Sequence, residues 1–192
     1  MNMQIFALRT DGLSDEAAQL LSRAADAEHS ERFRECANHR AARTQLAANV
    51  LLRYSAAQAL GVPMRRVTTE RLPSGQPVLP GTGLFCSVSH TDGLCVCAVS
   101  DAPVGIDAEK LRPAPVRVAE RIFSPQERAL LARSSDPDDT FFLFWTRRES
   151  VVKLTGAGLR DIRAQIPPHI RTRTARLFDA YRISVSTFTE SS

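Results

Sequence analysis

Phe123-Ser124-Pro125-Gln126-Glu127-Arg128-Ala129-Leu130-Leu131-Ala132-Arg133 is the stretch on which the fold turns. It opens as a helix start. Ser124 can cap, Pro125 suits the first helical position, and Glu127, three after the serine, closes a capping box. The same pattern stands 110 residues earlier, where Leu13-Ser14 through Leu20-Leu21 and Arg23 matches Phe123-Ser124 through Leu130-Leu131 and Arg133. A second, longer helical segment follows each copy. Chance likeness is one reading. A true duplication is the other, and it implies two similar αβ lobes meeting at a pseudo-twofold cleft, a common place for a ligand.

The segments on either side fit that plan. Residues 3–8 read as a strand, and residues 14–25 and 38–60 as helices. The second helix carries Leu46, Val50, Leu51 and Tyr54 at helical spacing and ends at Gly61 and Pro63. Residues 72–83 are rich in Gly and Pro and read as a long loop. Strands are expected at 84–89 and 94–99 around a Thr91-Asp92-Gly93 turn, with a third at 103–109. The last long helix spans about 138–154 and stops before Gly156 and Gly158. An Arg-rich tail closes on one more strand-like piece, Tyr181 to Val185. The expected lobes are residues 1–102 and 103–192.

Composition narrows the class of protein. The 192 residues are 43% hydrophobic and 24% charged, as in ordinary globular proteins. No apolar run approaches the roughly 20 residues of a membrane span, and Met1 to Leu8 lacks the pattern of a secretory signal. A cytoplasmic protein is expected. Cys36, Cys86, Cys95 and Cys97 form no Cys-x-x-Cys pair and no zinc pattern, so they read as free thiols, with Cys95 and Cys97 on one strand face. The net charge is +4, yet of 25 basic residues only Lys110 and Lys153 are lysines. Lysine can give up a proton near neutral pH when its environment lowers its pKa, and arginine cannot.

Candidate chemistry lies in three places. In Val104-Gly105-Ile106-Asp107-Ala108-Glu109, strand alternation points Asp107 and Glu109 the same way. Two carboxylates on one face repel unless they are solvated or bridged by a cation, and hard oxygens suit Mg²⁺. A solvated strand end is the plainer reading of this motif alone. In Trp145-Thr146-Arg147-Arg148-Glu149-Ser150-Val151-Val152-Lys153, Trp145, Glu149 and Lys153 recur every fourth residue and form one helical stripe. A surface Glu–Lys pair would satisfy that spacing. The aromatic run beside it argues instead for a buried edge, where charge needs a partner. Ser89 and His90 end a strand beside a turn, where a histidine is either structural or a phosphate ligand at a cleft rim.

Together the pieces resemble the Sfp-type 4′-phosphopantetheinyl transferases. The motifs run in the family's order: Gly75-x-Pro77, Ser89-His90, Gly105-Ile106-Asp107-x-Glu109, Phe123-Ser124-x-x-Glu127, Trp145-x-x-Arg148-Glu149-Ser150-x-x-Lys153 and Gly156-x-Gly158-Leu159. The resemblance implies an α+β fold of two similar αβ lobes related by a pseudo-twofold axis, with coenzyme A as co-substrate in the cleft between them. It also implies a shortened second lobe, because residues 159–181 are fewer than is usual.

The resemblance further implies Mg²⁺ held by Asp107, Glu109 and Glu149. Glu149 would also act as general base, directly or through a metal-bound water, and Lys153 would contact the pyrophosphate and be able to protonate the leaving phosphate. Contacts to coenzyme A are implied for Arg32, Arg43, Thr44, Arg71, Gly75, Pro77, Ser89, His90, Arg148 and Lys153. The expected partner is an apo acyl or peptidyl carrier protein, acidic enough for an Arg-rich face to steer it. A monomer is expected, with neither a membrane nor a nucleic acid as partner. Two positions depart from the family pattern: Gln76 and Arg148 both stand where lysine is usual.

Two rivals remain at this point. A non-catalytic coenzyme A binder would explain Gln76 and a short second lobe, but it needs no base, and Asp107, Glu109, Glu149 and Lys153 are all present. A nucleic-acid binder would explain the basic charge and Arg171, Arg173 and Arg176, but no aromatic platform is interleaved with them.

Overall fold

The computed structural model describes residues 2–36, 39–158 and 161–189. The chain divides into two compact units, Met1–Pro103 and Val104–Ser192, each of mixed α and β structure.

The first unit runs β1 (Met3–Arg9), α1 (Asp15–Ala24), α2 (Ala27–Glu35), α3 (His39–Leu60), a 3₁₀ turn at Met64–Arg66, a small hairpin of β2 (Glu70–Arg71) and β3 (Pro77–Val78), then β4 (Phe85–Thr91) and β5 (Leu94–Ser100). β5 lies between β1 and β4, antiparallel to both. Every residue of β5 is buried. Its Cys95, Cys97 and Val99 share one face, and Ala47, Leu51 and Leu52 of α3 belong to the same core. Tyr54 falls at the edge of that helix, its ring set edge-on to Phe6 at 6.0 Å. The Gly- and Pro-rich stretch expected to be all loop, residues 72–83, holds β3 and the turn that joins it to β2. Its turn closes as Gly75 donates to the Leu72 carbonyl at 2.8 Å and Leu72 to that of Gln76 at 2.9 Å.

The second unit runs β6 (Val104–Lys110), α4 (Val116–Ile122), α5 (Pro125–Arg133), α6 (Pro137–Thr155), β7 (Ile170–Leu177) and β8 (Tyr181–Phe188). Its sheet has the order β6-β8-β7, again antiparallel. Each unit therefore places its last strand between its first and its penultimate one, with helices ahead of the closing hairpin. The capping serines correspond as well. Ser14 accepts from the Ala17 amide at the start of α1, and Ser124 forms a full capping box with Glu127 at the start of α5.

The tail, expected to hold one strand, holds two. Counting β7, the second sheet matches the main sheet of the first unit strand for strand, so the short segment after α6 costs it no strand on that comparison. Leu159 lies outside the described residues.

Candidate active site

Gly105 sets the geometry of the second unit. A Cβ at this position would stand 2.0 Å from the Ser150 carbonyl oxygen and 2.5 Å from the Leu154 amide. No side chain fits there, so the backbone of α6 closes directly on β6. Hydroxyls complete the seam. Thr146 and Ser184 share a hydrogen bond at 2.8 Å, as do Ser150 and Ser186. Ser184 pairs in register with Asp107, and Ser186 with Gly105. This face of the sheet is thus small and polar, and it holds α6 close and in a fixed register.

Close approach brings the candidate charges together. Asp107 is 5% exposed, and its Oδ1 accepts from Lys153 Nζ at 2.8 Å. Glu109, two residues on, accepts from Arg112 at 3.0 Å. The guanidinium of Arg112 also lies 4.8 Å from the centre of the Phe142 ring. Trp145, Glu149 and Lys153 form the expected stripe, all half-buried, and Trp145 stacks on Phe141 with ring centres 6.1 Å apart.

Burial pushes the Glu149 carboxyl up to about 7, and the Asp107 charge adds to the rise. Lys153 works against it, and Glu109 adds a smaller push. A carboxyl tuned to that range can take up a proton near neutral pH. Glu149 is therefore coupled to each of the other three residues picked from the sequence, and Asp107 is paired with Lys153.

Arg148 lies elsewhere. One residue along α6 from Glu149, it turns inward, is 5% exposed, and donates to the carbonyls of Ile162 (2.8 Å) and Ala164 (3.0 Å). Its other arm meets Glu127 Oε2 at 2.6 Å. Glu127 is the capping-box residue, and the same oxygen accepts from the Ser124 amide at 2.7 Å. The structure thus shows Arg148 joining α5 to α6 through Glu127.

In the first unit, Arg71 is braced by Gly75, whose carbonyl accepts from it at 2.9 Å, and it pairs in register with Pro77. Ser89 and His90 occupy adjacent positions of β4, opposite Val96 and Cys95, and so address opposite faces of the sheet. Ser89 is buried and His90 exposed. Arg43 and Thr44 line a cleft of about 430 Å³ together with Arg40 and the β4–β5 turn. Arg43 donates to the Leu13 carbonyl at 3.0 Å and pairs with Asp15, and Thr44 donates to the Arg40 carbonyl at 3.1 Å. Arg32 is exposed in the last turn of α2.

Residues 103–188 match the model of the 4′-phosphopantetheinyl transferase superfamily. A 4′-phosphopantetheinyl transferase of Bacillus pumilus is 33% identical, with 82% of this chain and 70% of that protein covered. Another, from Bacillus subtilis, is 32% identical over 82% and 72% of the two chains. The chain belongs to the Sfp-type 4′-phosphopantetheinyl transferase family. It is accordingly an enzyme, a 4′-phosphopantetheinyl transferase, and the matched segment contains Asp107, Glu109, Glu149 and Lys153. The crystal structure of Helicobacter pylori holo-[acyl-carrier-protein] synthase with coenzyme A aligns at a TM-score of 0.39 and 14% identity, over 51% of this chain and 97% of that one.

Sequence reading missed one buried group of this transferase. His29 of α2 is 7% exposed and bonded to both Asp26 and Arg71. The signal was present as Asp26-x-x-His29, an acidic cap three residues ahead of a histidine.

Among the described residues, no three His, Cys, Asp or Glu side chains converge as a ready-made metal centre. Asp107 and Glu109 carry Lys153 and Arg112 instead. The donor set still suits Mg²⁺: three hard carboxylates on facing elements, one of them raised in pKa first by burial and then by the charge of the other two, a repulsion that a divalent cation relieves.

Proposed function

We propose that this transferase moves the 4′-phosphopantetheine arm of coenzyme A to a serine hydroxyl of an apo acyl or peptidyl carrier protein, in a Mg²⁺-dependent reaction that releases 3′,5′-ADP. The observation that carries this reading is the coupling of Glu149, at about 7, to Asp107 and Lys153. Glu149 takes the serine proton as the oxygen bonds to phosphorus. Lys153, held at the strand by Asp107, meets the phosphate that departs with 3′,5′-ADP and offers it charge or a proton. Asp107, Glu109 and Glu149 would hold the metal, which when bound neutralises pyrophosphate charge and polarises phosphorus.

Arg32, Arg43, Thr44, Arg71, Gly75, Pro77, Ser89 and His90 are the proposed contacts to coenzyme A from the first unit. Gln76 removes one cation from this set, and Arg71 beside it supplies another. No helix among the described residues is long and apolar enough to cross a membrane. We take the enzyme as a cytoplasmic monomer, to be checked by cell fractionation and sedimentation.

The decisive experiment incubates the protein with coenzyme A, Mg²⁺ and an apo carrier, then weighs the carrier by mass spectrometry. A gain of one phosphopantetheine, lost with a chelator, supports the reading. No gain on any of several acyl and peptidyl carriers, with coenzyme A still bound in calorimetry, would instead identify a binder without activity.

A further inference from the structure

His29 lies in a chain of hydrogen bonds that runs from α3 to the β2–β3 hairpin. Asn49 on α3 donates to Asp26 Oδ2 at 2.7 Å, and its own side-chain oxygen accepts from the Asp26 amide at 3.1 Å. Asp26 caps α2 by accepting from the His29 amide at 2.9 Å. The same oxygen, Oδ1, lies 2.7 Å from His29 Nδ1. On the other side of the ring, Nε2 lies 3.1 Å from an arm of Arg71. A guanidinium has no acceptor, so Nε2 must accept from it, and the ring hydrogen must sit on Nδ1 and be donated to Asp26. Asp26 fixes the tautomer, and the tautomer presents a lone pair to Arg71.

This arrangement does more than fill space. Arg71 is exposed, and a free arginine on a hairpin of two-residue strands would sample many rotamers. Two of its five N–H donors are spent on the His29 ring and the Gly75 carbonyl. These two contacts fix the guanidinium and leave its remaining donors for a ligand. Preorganisation of this kind lowers the entropy lost on binding.

We infer that His29, oriented by Asp26 and Asn49, is a positioning residue that holds Arg71 ready for a phosphate of coenzyme A. The inference rests on the reading that Arg71 contacts that cofactor. His29 itself touches no ligand. It acts through Arg71, and its effect belongs to binding and not to turnover.

Four proteins test this: wild type, His29→Leu, Arg71→Ala and the double variant, each measured for coenzyme A affinity by calorimetry and for KM and kcat. Arg71→Ala should weaken coenzyme A about tenfold, as for a lost charge-assisted contact. His29→Leu should raise KM for coenzyme A several-fold with kcat unchanged, and the double variant should be no worse than Arg71→Ala. His29→Gln, which keeps one donor and one acceptor, should restore most of the affinity. Additive losses in the double variant, or an unchanged KM in His29→Leu beside a weakened Arg71→Ala, would overturn the role of His29. A silent Arg71→Ala would overturn the coenzyme A contact itself, and the inference with it. Should His29→Leu fail to fold, long-range ¹H–¹⁵N spectra of the wild type decide: a ring hydrogen on Nδ1 is required, and one on Nε2 refutes the arrangement.

Discussion

The ammonium of Lys153 stands 2.8 Å from Oδ1 of Asp107, a bond from α6 to β6 between residues 46 apart in sequence. It joins the helix bearing Glu149 to the strand bearing Glu109, so the charges proposed for catalysis are bound into one electrostatic unit. Removing any member should change the others as well as itself.

Asp107→Ala tests the strand end of that unit. The variant loses a proposed metal ligand and leaves Lys153 without its buried partner. Phosphopantetheine transfer should fall about a thousandfold or more, in line with the several kcal/mol a metal supplies to a transition state. Binding of Mn²⁺, followed by its paramagnetic resonance signal, should weaken in parallel. Transfer at the wild-type rate would remove Asp107 from the site.

Lys153→Met keeps the bulk of the side chain and removes its charge. A group that serves the leaving phosphate should cost turnover, so kcat should drop about a hundredfold while KM for coenzyme A moves little. A rise in KM alone, at full kcat, would make Lys153 a binding residue only.

Glu149 yields a prediction in pH. Its carboxyl is held up near 7 in the folded protein, against an ordinary value of 4.5. Between those values the folded state binds a proton that the unfolded chain does not. Its contribution to stability is therefore fully present below about pH 4.5 and is lost as pH rises through 7. Glu149→Gln should abolish this loss, so without metal the variant should melt higher than wild type at pH 8 and about equally at pH 4.5. The variant should also lose transfer activity about a hundredfold or more. Thermal melts at the two pH values, with the transfer assay beside them, read both effects.

Gly105→Ala tests the close approach. The added Cβ meets backbone atoms of Ser150 and Leu154, which cannot move aside as a flexible side chain could. The helix must lift from the strand, at a cost of about 3 kcal/mol. Lifting should also break the Thr146–Ser184 and Ser150–Ser186 bonds. A lowered melting temperature and lost transfer are expected, and calorimetry should still detect coenzyme A if its contacts in the first unit are intact. An unchanged melting temperature would show that the seam yields more easily than its geometry suggests.

Much of this was legible in the sequence, for physical reasons that differ from element to element. The β4–β5 hairpin announced itself because its Asp92-Gly93 turn allows a tight reversal between apolar runs, and α5 because its cap is written in side chains. Besides the β2–β3 hairpin, three elements were not legible. α2 buries only His29, so no apolar period marks it. α4 is seven residues long and preceded by Pro113 and Pro115. β7 alternates Arg and Thr and buries only Ile170, because its inward positions meet the hydroxyls of β8, Thr172 bonding Ser186 and Thr174 bonding Ser184. The same polar seam hid the site's best structural clue. A strand facing a helix through serine and threonine does not read as a core, yet it is what lets Asp107, Glu149 and Lys153 meet.

The buried Arg148 forms an ion pair with Glu127, and that pair gives the last test. Burial alone would raise the Glu127 carboxyl, but hydrogen bonds from Arg148 and the Ser124 amide outweigh it and hold it below its usual 4.5. A carboxyl lowered by folding stabilises above its unfolded pKa and loses that contribution as pH falls through the folded value. Arg148→Met should therefore remove an acid-sensitive share of stability, and it also leaves Glu127 as a charge without its partner. The loss should be about 3 kcal/mol at neutral pH and should shrink on acidification below about pH 4.5. KM for coenzyme A, measured at a temperature where the variant is folded, should stay near wild type. A large rise in KM with little change in melting temperature would instead support the coenzyme A contact expected of Arg148.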